Sequence, residues 1–344
     1  MTGLATEEDE LATTSGTIAV VNLQAQVDSL AARAHPAAAG PAVARQAILI
    51  DLLTLRGHVL GRIADYERAA ELAERLARDA PDDGTALLAR ARTRATLHRF
   101  PEAMADLDAA ARGGCDRATL DAERAGILQA IGCHADALVL HRDAVERRPG
   151  FTTLGAMAVL QAERGEVHEA ELLFARARHG YRGVSPFPVA SLDFRHGLMW
   201  LKQGDLHAAR SWFDAARRRV PAYAPALGHL AEVDTTLGNQ QAAIDRLRPL
   251  AVSSDDPEYA ATLAGVLRDA GHAREAGRWL ASAAARYDEL VLRHPEAFAD
   301  HAAYFWFTVG GDAQKGRQLA SRTRAMRQTA RAYARLQHAS PVNS

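Results

Sequence analysis

One aspartate and one histidine of this sequence are spaced so that their side chains could act together in a polar site. Asp193 and His196 lie three residues apart in the segment SLDFRHGLMW, so a helix would place them on one face. A carboxylate beside an imidazole in a partly desolvated site raises the pKa of the histidine, and such perturbed pairs cluster at functional sites. Ordinary buried hydrogen-bonded pairs look the same in sequence. The pair is therefore a candidate polar site, with a structural pair as the alternative.

Two further clusters contain residue types that bind metals. Their members are His294, Glu296, Asp300 and His301 in one cluster, and Cys133, His134 and His141 in the other. Neither offers paired ligands one helical turn apart together with a third partner, which a zinc site requires. We predict no metal and no cofactor, and read 296–301 as the acidic start of a helix. The chain also has no phosphate-binding glycine loop, nucleophile elbow, zinc-protease helix or calcium loop, which predicts a protein that is not an enzyme.

A recurring pattern of small residues organises the elements that would position these side chains. Alanine occupies one shared position in seven copies: Ala69, Ala103, Ala137, Ala170, Ala209, Ala243 and Ala276. A second small residue lies twelve positions before each of them: Gly57, Ala91, Ala125, Ala158, Gly197, Ala231 and Ala264. Successive copies are separated by 34, 34, 33, 39, 34 and 33 residues. A period near 34 with two helices per unit is typical of a helical repeat array.

These positions resemble the tetratricopeptide repeat (TPR) family. The fifth copy matches the family pattern best, with Gly197, Trp200, Gly204, Ala209, Phe213, Ala216 and Pro221. The resemblance covers roughly residues 45–325 and is shared by seven copies. It implies an all-α fold, a right-handed superhelical solenoid of antiparallel helix hairpins in which each hairpin buries its apolar face against its neighbours.

The pattern divides the chain into four parts. We expect a mobile N-terminal tail at 1–16, an N-terminal capping helix and linker at 17–44, the TPR array at 45–326, and a C-terminal capping helix and tail at 327–344. Pro186 and Pro188 predict an extended loop inserted at 182–190, between the fourth and fifth copies. The second helix of the seventh copy is expected to be long, from about Ala273 to Arg293.

Three arginines recur at intervals of 34 residues. Arg56, Arg90 and Arg124 each lie one place before the small residue of a first helix, so neighbouring repeats would stack them as a ladder. Pairing with acids of a neighbouring second helix, such as Asp106, is the structural interpretation, and an anion-binding stripe is the alternative. Exposed ion pairs contribute under about 1 kcal/mol each, so a ladder of this kind says little about function.

Composition and charge limit the partners that the sequence predicts. The 41 basic and 42 acidic residues give a formal net charge of −1, which offers no electrostatic reason to expect binding to nucleic acid or to an anionic membrane.

The cysteines and the chain start bear on the compartment. Cys115 and Cys133 match no zinc spacing and cannot form a disulfide framework, which suits a reducing compartment. The acidic start lacks the features of a secretory signal, and no apolar run approaches the ~20 residues that span a bilayer. We therefore expect a cytoplasmic protein that binds neither nucleic acid nor membrane.

The TPR resemblance implies a concave surface lined by first helices, where such arrays hold segments of other proteins. Transferring the TPR register to this chain gives the groove-facing candidates Asp51, Thr54, His58, Leu88, Arg92, Glu123, Phe194, Leu198, Lys202, Glu232 and Arg268. Their mixture of charged and apolar types suits a peptide. The best-known TPR mode grips a C-terminal carboxylate with Lys, Asn and Arg, but Thr54 and His58 stand at the expected Lys and Asn positions, so that mode is not expected.

Three hypotheses for function follow. The leading one is a non-catalytic interaction module that binds a peptide or protein segment in the concave TPR groove. The alternative from a different class is a small-ligand-binding accessory protein or enzyme, with a site around Asp193, His196 and the loop at 182–190. A self-assembling scaffold is the third, since the sequence leaves the oligomeric state open.

Overall fold

The chain is an all-α array of stacked hairpins. The computed structural model describes residues 11–32 and 41–339, and within them the backbone forms seventeen α-helices and no strand. The first helix is α1 (Gly16–Ala32), and eight hairpins follow it. The first four hairpins are α2 (Pro41–Leu60) with α3 (Ile63–Asp79), α4 (Gly84–Thr96) with α5 (Phe100–Arg112), α6 (Arg117–Ala130) with α7 (His134–Arg147), and α8 (Phe151–Arg164) with α9 (Val167–His179). The last four are α10 (Pro186–Lys202) with α11 (Leu206–Arg219), α12 (Ala224–Thr236) with α13 (Gln240–Ser253), α14 (Pro257–Asp269) with α15 (Ala273–Arg293), and α16 (Pro295–Phe307) with α17 (Ala313–Ala339). Each helix packs mainly on the helices next to it in sequence, which confirms the predicted solenoid. None of the helices described combines the length and apolarity needed to cross a bilayer.

Small residues let the two helices of a hairpin approach closely. In the fifth hairpin a Cβ atom on Gly197 would lie 2.5 Å from the ring of Phe213, so only glycine fits under that ring. The chain turns into α11 at Gly204, whose φ of +79° is readily accessible to glycine. Asp205 then caps α11 by accepting the backbone N–H of Ala208 at 2.9 Å. The glycines at the repeat positions therefore allow the close helix packing and the tight turn that the sequence pattern predicts.

The helix that follows the fourth hairpin starts earlier than expected. α10 begins at Pro186, so the loop predicted at 182–190 ends at Ser185. Pro186 and Pro188 both lie in the first helical turn, where a backbone N–H has no intrahelical acceptor and proline is tolerated. The two prolines start a helix here, and the prediction of an extended loop is wrong for 186–190.

The C-terminal end of the array is one long helix. α17 continues from 313 to 339, where a separate closing helix at 327–344 was expected, because no proline or glycine follows Gly316 within it. The long helix predicted near 273–293 is confirmed as α15. Most of the predicted N-terminal tail, part of the predicted linker and residues 340–344 lie outside the described residues.

The N-terminal helix bridges distant parts of the array. Leu23 and Val27 of α1 pack in the same buried cluster as Val43 and Ala47 of α2, as expected of a cap. Upstream of α1, the backbone N–H of Thr14 donates to the carbonyl of Val184 at 2.8 Å. Arg219 donates to the carbonyl of Leu11 at 3.2 Å, so the segment before α1 is attached to the fifth hairpin. The chain ahead of the first hairpin therefore links it to the fifth.

The first hairpin also contacts the sixth and seventh hairpins directly. The carboxylate of Asp255, between α13 and α14, accepts the backbone N–H groups of Ile63 and Ala64 at 2.6 and 2.9 Å and so caps α3 from across the array. Ser254 donates its hydroxyl hydrogen to the carbonyl of Gly61. Near the junction of α15 and α16, Glu67 pairs with Arg293 at 2.8 Å and with His294 at 3.0 Å. We call these residues (Gly61, Ile63, Ala64 and Glu67 with Ser254, Asp255, Arg293 and His294) the closing contact.

Apolar packing accompanies the closing contact. Val59 of α2 is buried in one cluster with Phe194, Phe213 and Tyr223 of the fifth and sixth hairpins. His58 completes the junction, with its Nε2 atom 2.7 Å from the hydroxyl of Tyr223. The end of α2 therefore lies over α10 and α12, and the array is closed on itself at this point.

Candidate functional site

Each arginine of the ladder pairs with an acid of a second helix, in its own hairpin for Arg56 and Arg90 and in the preceding hairpin for Arg124. Arg56 Nε donates to Asp65 at 2.7 Å, and Arg90 Nη2 donates to Asp106 at 2.7 Å. Arg124 likewise pairs with Asp108 at 2.7 Å. The structural interpretation of the ladder is confirmed, because each guanidinium lies against an acid of a second helix.

Asp193 is buried between three helices. Its side chain is 1% exposed, and Oδ1 accepts the Nε–H of Arg178 from α9 at 3.2 Å. Its Oδ2 lies 3.7 Å from Nε of Arg219 on α11. Burial raises the pKa of Asp193, and the two guanidinium groups oppose that rise. The arrangement ties α10 to both of its neighbours.

His196 has different partners from Asp193. Its ring is stacked between Phe174 and Trp212, with centroid distances of 4.5 and 3.9 Å. Its Nε2 atom bonds to Glu171, which also accepts the indole N–H of Trp200 at 3.0 Å. Burial acts to raise the pKa of Glu171, but the hydrogen bond and charge of His196 and the hydrogen bond from Trp200 together outweigh it, and the pKa is lowered. His196 therefore links α10 to α9 through its hydrogen bond to Glu171 and its stacking on Phe174.

The surroundings of this pair contain a small cavity that the pair does not line. It has a volume of about 200 Å³ and is formed by residues of α2 and of the segment 185–191, together with Tyr223. Asp193 and His196 both lie outside its lining. The structure therefore places both side chains in contacts between packed helices.

The two sequence clusters of metal-ligating residue types are dispersed. Within the described stretches, no group of three or more His, Cys, Asp or Glu side chains could hold a metal ion. His294 bonds to Glu67 in the closing contact, whereas His301 lines the trough described next. Cys133 is buried in an apolar cluster, and His141 is buried with its Nε2 atom unpaired.

A trough of about 530 Å³ lies between the first hairpin and the last three. Its walls come from the end of α2, the start of α3 and the first helices α12, α14 and α16. Glycines allow aromatic rings to form part of these walls: a Cβ on Gly57 would lie 2.8 Å from the ring of Tyr66, and one on Gly228 would lie 2.7 Å from the ring of Tyr259. Because α2 closes one side, the trough exists only in the closed array.

The floor of the trough combines one carboxylate with three tyrosines. Asp256 caps α14 by accepting the N–H of Glu258 at 3.0 Å, and it lines the trough together with Tyr66, Tyr259 and Tyr287. Burial, and next the negative charge of Glu258, raise the pKa of Asp256 to about 7. Burial and the charge of Asp256 raise the pKa of each of the three tyrosines. We call these four residues the floor.

Two of the floor tyrosines are deeply buried without a hydrogen-bond partner. Tyr259 is 8% exposed and Tyr287 is 3% exposed. Among the described residues, no group hydrogen-bonds to the hydroxyl of Tyr259, Tyr287 or Tyr66. These hydroxyls are not among the fully buried unpaired atoms of the described residues, and their side chains line the trough, so a ligand or water in the trough can hydrogen-bond to them.

The rim of the trough is richer in acids than in bases. Glu232 pairs with His229 at 2.8 Å, while Glu258 and Asp269 are exposed. The one arginine that lines the trough, Arg268, donates to the carbonyl of Val309 at 3.4 Å. Tyr304 adds an aromatic side chain that is 72% exposed. The trough therefore presents a negative and aromatic surface.

The groove residues predicted from the sequence are divided among several environments. His58, Glu232 and Arg268 line the trough, although burial lowers the pKa of His58 to about 4 and keeps it neutral. Arg92 bonds to Asp51 at 3.2 Å and to Glu123 at 2.7 Å, so these three side chains are engaged with one another.

The remaining predicted groove residues lie outside the trough. Phe194 is only 6% exposed, because the end of α2 covers it, so its predicted contact with a partner is not available in this structure. Leu198 packs against the same cluster, and Leu88 packs in the core of the second and third hairpins. Lys202 donates to the carbonyl of Glu163 at 2.9 Å, and Thr54 donates to that of Ile50 at 3.0 Å.

The repeat pattern did not identify the floor of the trough. Tyr66 comes from the first hairpin, whereas Asp256, Tyr259 and Tyr287 come from the seventh. Residues this far apart in sequence meet only because the array closes, and closure has no signature in a repeat whose contacts are read between neighbours.

Comparisons with known proteins identify the fold. No protein-family profile and no curated protein sequence matches the chain. Human IFIT1, in a dimer with m7Gppp-AAAA, superposes with a TM-score of 0.56 at 16% identity, covering 90% of this chain and 78% of that one. A monomeric IFIT1 mutant with Gppp-AAAA gives 0.55 at 16% identity, covering 83% and 71%. Cut9 in the APC/C hetero-tetramer Cut9–Hcn1 gives 0.52 at 14% identity, covering 88% and 59%. At these identities the likeness extends to the fold, a helical-repeat solenoid.

Proposed function

We propose that this chain, which has the fold of TPR proteins, is a non-catalytic scaffold that binds a segment of a partner protein in the trough. The observation that carries the proposal is the trough itself, whose floor holds tyrosine hydroxyls to which no residue of the described chain hydrogen-bonds. Concave sites with a mainly apolar lining and a few converging polar groups are typical binding sites.

The charge of the trough favours a protein segment over a polyanion. Glu232, Asp256, Glu258 and Asp269 line it, against Arg268 as the single arginine or lysine. Phosphate groups are usually bound by clusters of basic side chains, whereas carboxylates repel them. The capped RNA in the human structures belongs to IFIT1, and this trough lacks the charge that a similar ligand would need.

The size of the trough fits a short anchor segment. A volume of about 530 Å³ falls within the range of about 300–1,000 Å³ that is common for ligand sites. A few side chains fill such a volume, and a few buried anchors carry most of the energy in protein interfaces. We therefore expect a short linear segment with one or two anchoring side chains.

Selection from a phage-displayed library of random dodecapeptides tests the proposal. The library is selected on the wild-type chain, and the affinity of each recovered peptide is measured by fluorescence polarisation. The double variant Glu232→Lys/Asp269→Lys reverses the charge of the rim, and Glu146→Lys/Glu169→Lys makes the same change at exposed positions outside the trough.

We expect peptides that lose at least tenfold in affinity for the rim variant and stay within twofold for the control. Recovery of no peptide, or of peptides that bind both variants equally, contradicts the proposal. A 5′-capped or triphosphorylated oligonucleotide that binds the wild type more tightly than any peptide would replace it with an RNA-binding function.

A further inference from the structure

We propose that the floor of the trough binds the guanidinium group of an arginine side chain. This inference rests on the proposed function, since it names the anchor that the partner segment would insert. It is carried by the joint placement of Asp256, Tyr66, Tyr259 and Tyr287 in one cavity.

The floor offers hydrogen-bond acceptors and contains no positively charged side chain. The carboxylate of Asp256 uses one oxygen for the N–H of Glu258, and its other lone pairs remain for a ligand. The hydroxyls of Tyr259 and Tyr287 have no hydrogen-bond partner in the described parts of the chain, although both residues are more than nine-tenths buried. A ligand rich in donors satisfies these groups together, and guanidinium, with five N–H donors in one plane, is the richest that a protein side chain offers.

Aromatic surface favours the same ligand. Guanidinium stacks on aromatic faces and is weakly hydrated, so it enters a partly desolvated site with less loss of solvation than an ammonium group. Three tyrosines line the floor, and Tyr304 lies exposed on the wall above. Lysine offers three donors on a strongly hydrated point charge and matches this planar, aromatic site less well.

No cationic side chain of the described residues forms an ion pair with Asp256. Burial and the charges of Glu258 and Asp255 raise its pKa, and Arg286 opposes them only weakly because it already pairs with Asp255 at 3.0 Å and with Glu289 at 2.8 Å. The neighbouring His58 is kept neutral by burial and supplies no charge. A bound guanidinium would give the Asp256 carboxylate a counter-ion that none of the described residues provides.

The test uses small probes, so it does not depend on finding the partner. Nα-acetyl-L-arginine methylamide is titrated into the full chain and followed by NMR, alongside the citrulline and lysine analogues. Citrulline keeps the shape of arginine but removes its charge. Asp256→Asn removes the floor charge while keeping the cap of α14, and Glu146→Gln makes the same change at an exposed position outside the trough.

We expect the arginine probe to bind in the millimolar range, with the citrulline probe at least tenfold weaker. Asp256→Asn should weaken the arginine probe at least tenfold, whereas Glu146→Gln should leave it within twofold. The double variant Tyr259→Phe/Tyr287→Phe, which keeps both rings, should weaken it about threefold to tenfold.

Equal binding of the arginine and citrulline probes, or arginine binding that survives Asp256→Asn, overturns this inference and leaves the proposed function standing if trough-dependent peptides were selected. Stronger binding of the lysine analogue overturns it as well. If the arginine probe binds as expected but no library peptide does, the proposed function fails and the floor remains a guanidinium site.

Discussion

Replacing Asp255 with alanine tests whether the closing contact holds the array together. Asp255 caps α3 through the N–H groups of Ile63 and Ala64 at 2.6 and 2.9 Å, and it pairs with Arg286 at 3.0 Å. Loss of a helix N-cap costs about 1 kcal/mol. Loss of a partly exposed ion pair adds up to about 1 kcal/mol.

The expected loss of stability is therefore about 2 kcal/mol for Asp255→Ala. One effect acts in the opposite direction: the charge of Asp255 raises the pKa of Asp256, and its removal relieves that repulsion. Arg286 also keeps its pair with Glu289 at 2.8 Å, which limits the effect of losing Asp255. The net change in the free energy of unfolding should lie between about 1 and 2 kcal/mol.

Two measurements check this prediction. Urea denaturation at 25 °C gives the change in the free energy of unfolding, and amide hydrogen exchange followed by NMR reports on Ile63 and Ala64. We expect exchange of these two amides to accelerate at least tenfold, as the capped groups become accessible to water. The matched control is Asp269→Ala, which removes an exposed aspartate whose nearest base, Arg268, is 3.8 Å away. Unchanged exchange at both amides, or a stability loss no larger than in the control, refutes the closing role of Asp255.

Three further predictions concern the packing and charge of single residues. Gly197→Ala should destabilise the chain by about 2 kcal/mol, measured by urea denaturation, because the new Cβ would meet the ring of Phe213 at 2.5 Å; a change under about 0.5 kcal/mol contradicts the packing. Arg178→Ala should cost about 3 kcal/mol, because it removes the hydrogen bond to the buried Asp193, and Asp193→Asn in the same background should recover part of that loss. Asp256 has a folded-state pKa raised to about 7, so its contribution to stability is complete below about pH 4 and is lost as the pH rises towards 7. Asp256→Asn should accordingly match the wild type at pH 4 and exceed it by about 2 to 4 kcal/mol at pH 8, and equal stability at pH 8 speaks against a buried charge.

The hairpins were predictable from the sequence because their determinants are local. Gly197 and Gly204 act within one repeat, so a period near 34 exposes them without any knowledge of distant contacts. The arginine ladder was predictable for the same reason, since Arg90 and Asp106 belong to one hairpin. The residue positions that recur in the sequence therefore have equivalent places in successive hairpins of the structure.

The trough was not predictable because it depends on contacts between unlike repeats. Asp255 and Ile63 are 192 positions apart, and neither occupies a shared position of the repeat. The same closure buries Phe194, which the TPR register places on an open groove. Pro186 was misread for a different reason: proline starts helices as readily as it ends them, and only the helix that follows distinguishes the two cases.

The closing contact has a consequence for how a chain of this kind can change over generations. In an open solenoid each unit contacts only its neighbours, so units are gained or lost without disturbing the rest. Here, deleting or duplicating one internal hairpin would displace Asp255 from the amides of Ile63 and Ala64 by on the order of 10 Å, the spacing of packed helices. The tyrosines and the carboxylate beneath the trough would then separate as well. The number of hairpins is therefore as much a determinant of what this molecule recognises as any side chain within it.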